Sequence, residues 1–441
     1  MNEEEKKDIQ PQPQKAKLKF QTPTGMHDVL GEDMLYFAKV QNIVDDIAEF
    51  YGFQKIDTPI LEDAQIFEKS TGSSSDIVEK EMYLVKTKGG DVLCMRPEFT
   101  PGVVRAYLQN GMWVLPKPIK LYSFGPLFRY EKPQTGRYRQ FNQFNFEMFG
   151  SKDPAIDAQL IQMFWAILTE LKFKNLVVEI NSIGCSECRP NFRKALVRFL
   201  KSKENLLSSD SKERLKKNPL RVLDSKDQRD KEIIANAPQV IDYLCDDCKG
   251  HFKKVLEYLD EIGLAYKLNP YLVRGLDYYT KTVFEIYEDK GEQSSTATLI
   301  GGGRYDTLIK SIGGQDTPAL GGAGGVERII EKLKERAKEP LKPKHQAHVF
   351  LAPLGEVAKK KALSLFEQFR QENIRCMEAF SKDALKAQLG IADKYSVDYA
   401  LILGQREVLD GTIIIRNMKT AKQETVKLAK VVQEVKKKLK K

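Results

Sequence analysis

Residues 125–150 read GPLFRYEKPQTGRYRQFNQFNFEMFG and gather ligand-holding groups among aromatics. Arg129, Arg137 and Arg139 carry planar forks suited to phosphate or carboxylate. Glu131, Gln143, Asn145 and Glu147 add hydrogen bonds of fixed geometry. Read with period 2, a strand over 121–131 puts Arg129 and Glu131 on one face, with Phe128 and Tyr130 on the other. Pro133 and Gly136 then make a loop. On a second strand Arg137, Arg139, Phe141, Gln143, Asn145 and Glu147 alternate with Tyr138, Gln140, Asn142, Phe144, Phe146 and Met148. A merely solvated face would more naturally carry Lys, Thr and Ser. Pattern alone leaves both a ligand face and a solvated face open.

Further arginines stand beside glycines and aromatics. Arg96 and Glu98 share a face of the strand in DVLCMRPE. LVRGLDYY (272–279) sets Arg274 before Gly275, Tyr278 and Tyr279, and LIGGGRYD (299–306) sets Arg304, Tyr305 and Asp306 after three glycines. In ALGGAGGVERII (319–330), a helix from about residue 323 would align Gly321, Gly324 or Gly325 and Arg328 on one face. None of these runs is a nucleotide fingerprint: Glu327 stands where GxGxxG needs glycine, and no GK[ST] follows. The four histidines, His27, His251, His345 and His348, join no Ser/His or Cys/His constellation, which argues against hydrolysis by an activated nucleophile.

The elements that must position these groups are readable in outline. Apolar residues at helical spacing over 32–51 predict a helix, and 53–61 a strand. EMYLVK and DVLCMRPE flank a Gly89-Gly90 turn as a hairpin, after which Thr100 as N-cap and Pro101 open a helix. Residues 155–171 form another helix, 185–260 turn to charged helical segments, and strand signals return over 272–311. EKLKERAKEPLKPKH is a charged, Pro-containing linker, and beyond it strands and helices alternate as a separate α/β unit over 345–441. With 441 residues, 41% hydrophobic and 30% charged, the chain reads as soluble and globular, with two or three domains. No apolar run is long enough to span a bilayer; the opening MNEEEKKDIQPQPQKAK reads as a disordered polar tail (1–18), and the expected location is cytoplasmic. The net charge of +10 suits a polyanionic partner.

The cysteines raise a separate question. Cys185-x-x-Cys188 and Cys245-x-x-Cys248 bracket the helical segments, and two such pairs can complete a tetrahedral zinc site across a long gap. Four reduced cysteines are the alternative, and both stand.

Taken together, RPEFT (96–100), FRYE with RYRQFNQFNFE (128–147), RGLDYY (274–279), GGGRYD (301–306) and GGVER (324–328) resemble the histidyl-tRNA synthetase family of class II aminoacyl-tRNA synthetases. TPTGMHDVL near the start and the C-terminal α/β unit extend the resemblance over nearly the whole chain. FRYE and GVER resemble motifs that several class II synthetases share, whereas RGLDYY and GGRYD resemble the histidine family and its catalytically inactive relatives.

The resemblance implies an α+β fold: an antiparallel sheet flanked by helices over 19–330, a helical insert at about 185–260, a linker at 331–344 and an anticodon-binding α/β domain over 345–441. It implies a homodimer joined through residues 32–61. It also implies ATP with Mg2+, and tRNA(His) as partner. Histidine's carboxylate would attack the α-phosphate of ATP, and the terminal ribose of the tRNA would then take the histidyl group.

Residue by residue, Arg129 would hold the α-phosphate side and Glu131 the adenine. Arg328, helped by Arg137, would clamp the γ-phosphate, and Arg274 would stand near the α-phosphate in place of a metal ion. Glu98, Thr100 and Gln143 would bind histidine's α-amino group, and Glu147 and Tyr279 its imidazole, with Tyr278 and Tyr305 lining the pocket. Gln134 would touch the acceptor end of the tRNA. The sequence departs from the family's pattern at Phe99, where bacterial members carry glycine, at Lys132, expected to be arginine, and at Gly322 and Gly324, which replace bulkier residues. A non-catalytic histidine-sensing relative is the alternative reading; such relatives usually lack the C-terminal domain and some of the ATP-site arginines, and this chain has both.

Overall fold

A computed structural model describes residues 20–72, 75–134, 136–289, 291, 298–341 and 347–439. The tail expected over 1–18 and residues 342–344 of the linker lie outside them. The chain divides into two compact units between Pro340 and Leu341.

The first unit is built on an eight-stranded sheet. In spatial order its strands are Gln54–Lys55, Ile119–Phe128, Gln140–Phe149, Ala319–Gly325, Ile300–Arg304, Thr280–Glu288, Leu176–Ser182 and Tyr266–Leu268. The six inner strands pair antiparallel, and each edge strand pairs parallel. The period-2 reading explains which face goes where. Phe144, Phe146 and Met148 are fully buried. Phe164, on the helix Pro154–Glu170, packs edge-on against Phe146 (5.6 Å between ring centroids) and also meets Phe284 (6.1 Å). Burying aromatics of this size supplies about 1.5–3 kcal/mol each and leaves the opposite face for polar work. Arg129 and Glu131 lie just past the first strand, which ends at Phe128, and Arg137 and Arg139 lie just before the second, which begins at Gln140.

Three further expectations are corrected. The run Ala319–Gly325 is a strand, and its helix begins only at Val326. Glycine disfavours a helix by about 1 kcal/mol per residue, whereas here Gly321, Gly322 and Gly324 pair across to both neighbouring strands. These glycines also allow close approach: a Cβ on Gly302 would collide with the backbone of Gly321 and Gly322. Residues 53–61 give two short strands in different sheets, Gln54–Lys55 and, reaching past the expected end, Leu61–Asp63. Thr100 is the first helical residue of Thr100–Gln109 and Phe99 occupies the cap position, so the hydroxyl of Thr100 caps nothing.

Leu61–Asp63, Tyr83–Lys86 and Val92–Met95 form a three-stranded sheet beside the main one. Arg96, just beyond it, is 2% exposed and donates to the carbonyls of Pro126 (3.1 Å) and Thr58, so it ties the small sheet to the large one. The insert comprises the helices Cys188–Ser202, Ser209–Lys217, Gln228–Ile234 and Asp246–Glu261 with short 3-10 turns, around a core that includes Phe192, Leu196, Leu215 and Val222. Asp230 is its polar centre, accepting from the hydroxyls of Ser208, Ser211 and Ser225, each at 2.6 Å.

The second unit has a five-stranded sheet, in order Cys376–Glu378, Val349–Pro353, Tyr399–Leu403, Thr412–Asn417 and Gln423–Lys427. The first three are parallel and the last two antiparallel. Helix Glu356–Gln371 and the C-terminal helix cover a core of Leu351, Leu365, Phe369, Leu401 and Val431.

Candidate active site

A cavity of about 380 Å³ lies over the polar face of the main sheet. Residues singled out from the sequence line it: Glu98, Phe99, Thr100, Arg129, Glu131, Arg137, Gln143 and Asn145 from the N-terminal half, and Arg274, Tyr278, Tyr279 and Arg328 from the C-terminal half. They come from elements up to some two hundred positions apart, and only the sheet register brings them together.

One part of the lining is built from carboxylates and tyrosines. Glu98 accepts from Tyr278 Oη (2.7 Å) and from Thr71 Oγ1 (2.8 Å). Burial pushes its carboxyl above the ordinary range, against the pull of these two hydrogen bonds. Glu147 and Tyr305 stand behind this wall and do not line the cavity. Glu147 is fully buried and accepts a hydrogen bond from the Tyr305 hydroxyl. Burial pushes its carboxyl up to about 8, although Thr100, Tyr305 and Asn145 favour the charged form. Its Oε1 and Asn145 Oδ1 are buried without a hydrogen-bond partner, and of the two residues only Asn145 lines the cavity. Gly321 pairs with Glu147 across the strands, and a Cβ there would overlap the carboxylate.

The other part is cationic. Arg129 is held by donation to Pro97 O (2.9 Å) and lies over the Phe141 ring (5.3 Å), with Glu131 3.9 Å away. Arg137 meets the same Glu131 at 3.6 Å. Arg274 pairs with Glu285 and lies flat on the sheet over Gly301, where a Cβ would occupy its guanidinium. Arg328, in the first turn of helix Val326–Arg336, donates to Thr298 O (2.7 Å). Burial first, then the like charge of Arg137, lowers its pKa. Cations crowded in this way are relieved by an anion.

The loop between the two long strands is tied to that helix. Gly136, in the left-handed region (φ 71°), donates its amide to Glu331 Oε1 at 3.0 Å, and Tyr138 Oη donates to the same oxygen at 3.0 Å. Glu327 accepts from Asn142 N and Nδ2 (both 2.8 Å). Gln134 pairs with Arg137 in the loop's tight turn and is exposed there, outside the cavity. Arg304 proves structural: it is wholly buried and pairs with Asp157 (2.9 Å) and Asp306 (2.9 Å). His251 also reaches Asp157 (3.2 Å), so this histidine serves the scaffold.

Sequence reasoning missed Asp76, Glu81 and Arg221, which also line the cavity. Arg221 comes from the insert and pairs with Asp76 at 2.6 Å. No periodicity or spacing marks it, because its partner is 145 positions away.

Where the insert leaves and rejoins the main sheet, the four paired cysteines converge. Cys185 Sγ lies 3.6 Å from Cys188 Sγ and 3.9 Å from Cys245 Sγ. Burial opposes ionisation of Cys185, but hydrogen bonds from the Cys188 and Glu187 backbone hold its thiol down to about 7.

An antiparallel sheet that carries a forked-arginine site with an adjoining carboxylate-tyrosine pocket defines a class II aminoacyl-tRNA synthetase core. The family model for histidyl-tRNA synthetase matches residues 25–329, and that for an anticodon binding domain matches 348–438. The chain belongs to the histidyl-tRNA synthetase family. It is 44% identical over 421 residues to the histidine–tRNA ligase of Dehalococcoides mccartyi, covering 95% of this chain and 100% of that protein. It is 43% identical over 407 residues to that of Dictyoglomus thermophilum, covering 92% and 96%. The crystal structure of apo histidyl-tRNA synthetase from S. aureus superposes with a TM-score of 0.78 at 33% identity, covering 95% of this chain and 100% of that one.

Proposed function

We infer that this chain is a histidine–tRNA ligase, which joins L-histidine to ATP as histidyl-adenylate and passes the histidyl group to tRNA(His). The observation that carries the reading is the junction, in one cavity, of an arginine set with a buried carboxylate-tyrosine pocket. The reaction needs both. A carboxylate attacks a phosphate, so negative charge meets negative charge, and preorganised cations lower that barrier.

In this reading Arg129 and Arg274 face the α-phosphate, Arg328 and Arg137 the γ-phosphate, and Glu131 the adenine. Pro97, Phe141, Glu285 and Thr298 hold three of these guanidinium groups in place beforehand. The carboxylate oxygen of histidine attacks the α-phosphorus and pyrophosphate leaves. A ribose hydroxyl at the tRNA 3′ end then attacks the acyl carbon and AMP leaves. ATP is the family's substrate; Mg2+ bound with it would neutralise phosphate charge. Glu98, Thr100 and Gln143 receive the α-amino group. The imidazole lies toward Tyr279, which lines the cavity, and toward Glu147 in the layer behind it. A pocket of this kind rejects apolar analogues by about 10⁴ or more, since its polar groups would stay unpaired.

The working form is a homodimer joined through the 32–61 region, and the exposed apolar side chains of Met34, Phe50, Ile60 and Leu61 support this. The C-terminal unit binds the anticodon, and Gln134 meets the acceptor end. The enzyme works in the cytoplasm; among the described residues no helix is long and apolar enough to cross a membrane. The catalytic domain spans 19–330 and the anticodon domain 345–441.

ATP–pyrophosphate exchange, with each amino acid supplied separately and no tRNA, tests the assignment. Exchange with histidine alone is expected. Histidine binding without exchange would transfer the chain to the non-catalytic sensing relatives.

A further inference from the structure

The helical insert leaves the main sheet after Leu176–Ser182 and returns through helix Asp246–Glu261. Both passages carry a Cys-x-x-Cys pair, and the four sulfurs lie within 4.8 Å of one another. All four cysteines are free. Cys188 and Cys248 are buried, while Cys185 and Cys245 are half-buried at the edge of a small cluster with Ile241 and Leu244.

Packing alone does not explain this arrangement. Thiols that serve as small apolar groups spread over the carbon around them; these four point at one another. Their two hydrogen-bonding separations, 3.6 and 3.9 Å, bracket the spacing of about 3.8 Å that ligands about 2.3 Å from a tetrahedral ion must adopt. The backbone is shaped for the same purpose. Gly184 is in the left-handed region (φ 68°), and a Cβ there would strike the Cys188 Cβ at 2.6 Å. The amide of Cys245 donates to Cys188 Sγ (3.1 Å), which fixes that sulfur beside the second pair. Arg189, next to Cys188 in the chain, donates its amide to Cys185 O (3.1 Å) and keeps a buried Nε without a hydrogen-bond partner.

We propose that Cys185, Cys188, Cys245 and Cys248 bind one zinc ion as a tetrathiolate that clasps the insert at its root. Soft sulfur ligands select zinc over magnesium or manganese. Sulfurs this close enclose a single ion, since a cluster of several irons would hold them on separate metal atoms. The clasp closes a loop of 60 positions between Cys185 and Cys245, the situation in which a cross-link restrains an unfolded chain strongly. It also bears on the cavity. The insert meets the catalytic unit through Arg221 on Asp76, Lys217 on Glu79 (2.8 Å) and Asn218 on Asp277 (2.8 Å). A fixed root keeps Arg221 in the cavity wall.

The test uses the full-length protein and needs no activity. Elemental analysis of protein purified without chelator should find about one zinc per chain. Protein stripped of metal and given Co2+ should develop the visible ligand-field bands and sulfur-to-cobalt charge transfer of a tetrahedral tetrathiolate. Cys248→Ser should lose the metal, and Cys94→Ser, a cysteine outside the cluster, should keep it. Because Cys248→Ser could fail to fold, the cobalt spectrum of the unaltered chain decides. No zinc and no cobalt bands would overturn the site, and stoichiometric iron would overturn its assignment to zinc. Stripped protein should also be cut faster by protease within 189–244 than the zinc form. Equal rates would overturn the clasp.

Discussion

Alanine at Gly301 tests the catalytic role proposed for Arg274 without touching Arg274 itself. Gly301 lies inside the strand Ile300–Arg304 with extended backbone, so an L side chain meets no conformational barrier there. The three nearest neighbours of its new Cβ would all be guanidinium atoms of Arg274, with Cζ only 2.6 Å away. Ordinary contact needs roughly 3.5–4.0 Å, so the guanidinium must rise by about 1 Å or more and loosen its pairing with Glu285. Both partners are only about one-fifth exposed, so loosening the pair without removing either partner should cost more than a surface ion pair would, about 1–2 kcal/mol, and Tm should fall by no more than about 8 °C. Catalysis should suffer far more. A misplacement of about 1 Å in a positioned group costs about 100-fold, and removing a transition-state donor costs about 10²–10³, or roughly 3–4 kcal/mol. Histidine-dependent ATP–pyrophosphate exchange should therefore drop about 100-fold in kcat. Because Gly301→Ala acts through Arg274, the double variant with Arg274→Ala should be no slower than Arg274→Ala alone. Wild-type exchange in Gly301→Ala, or losses that multiply in the double variant, would refute the reasoning.

Three other outcomes are expected. The Glu147 carboxyl, pushed up to about 8 from its ordinary 4.5, keeps its proton in the folded chain after the unfolded chain has lost it. Its contribution to stability is thus fully present below about 4.5 and declines as pH rises toward 8. Glu147→Gln should remove that decline, so urea midpoints of variant and wild type should differ more favourably for the variant at pH 8 than at pH 5; parallel profiles would contradict the assignment. Phe99, 1% exposed with Arg96 4.6 Å above its ring, should cost about 3–5 kcal/mol when cut to alanine, read by thermal unfolding, and a loss under about 1 kcal/mol would show the ring to be dispensable. Glu331→Ala frees the loop at Gly136 and Tyr138; losing about 1.4 kcal/mol of loop order should raise KM for ATP about tenfold while kcat changes less than about threefold, and an unchanged KM would rule the tie out.

Much of the site could be read from the chain because strand alternation is a local property. Gln143, Asn145 and Glu147 had to share a face once Phe144 and Phe146 were assigned to the core. What alternation could not supply was depth. Glu147 and Tyr305 lie behind the cavity wall, and the Glu147 carboxylate occupies the space that a Cβ on Gly321 would take. The glycine-rich stretch before Val326 was misread as helix for a related reason: a residue without a side chain carries no period, so only its pairing on both sides defines it. Phe99, where bacterial members of the family carry glycine, has Arg96 over its buried ring and also lines the cavity, a double placement that no pattern in the chain announces. Arg221 was out of reach altogether, since its place depends on how a remote insert docks.

The bare floor of the cavity has a bearing on inhibition. Gly301 and Gly322 line it directly, and a side chain at either position would strike Arg274 or the Phe164 ring. A compound resting on that floor would therefore contact positions at which the enzyme has almost no freedom to mutate. Resistance would have to arise elsewhere in the lining, at a residue such as Glu81 to which no substrate contact is assigned.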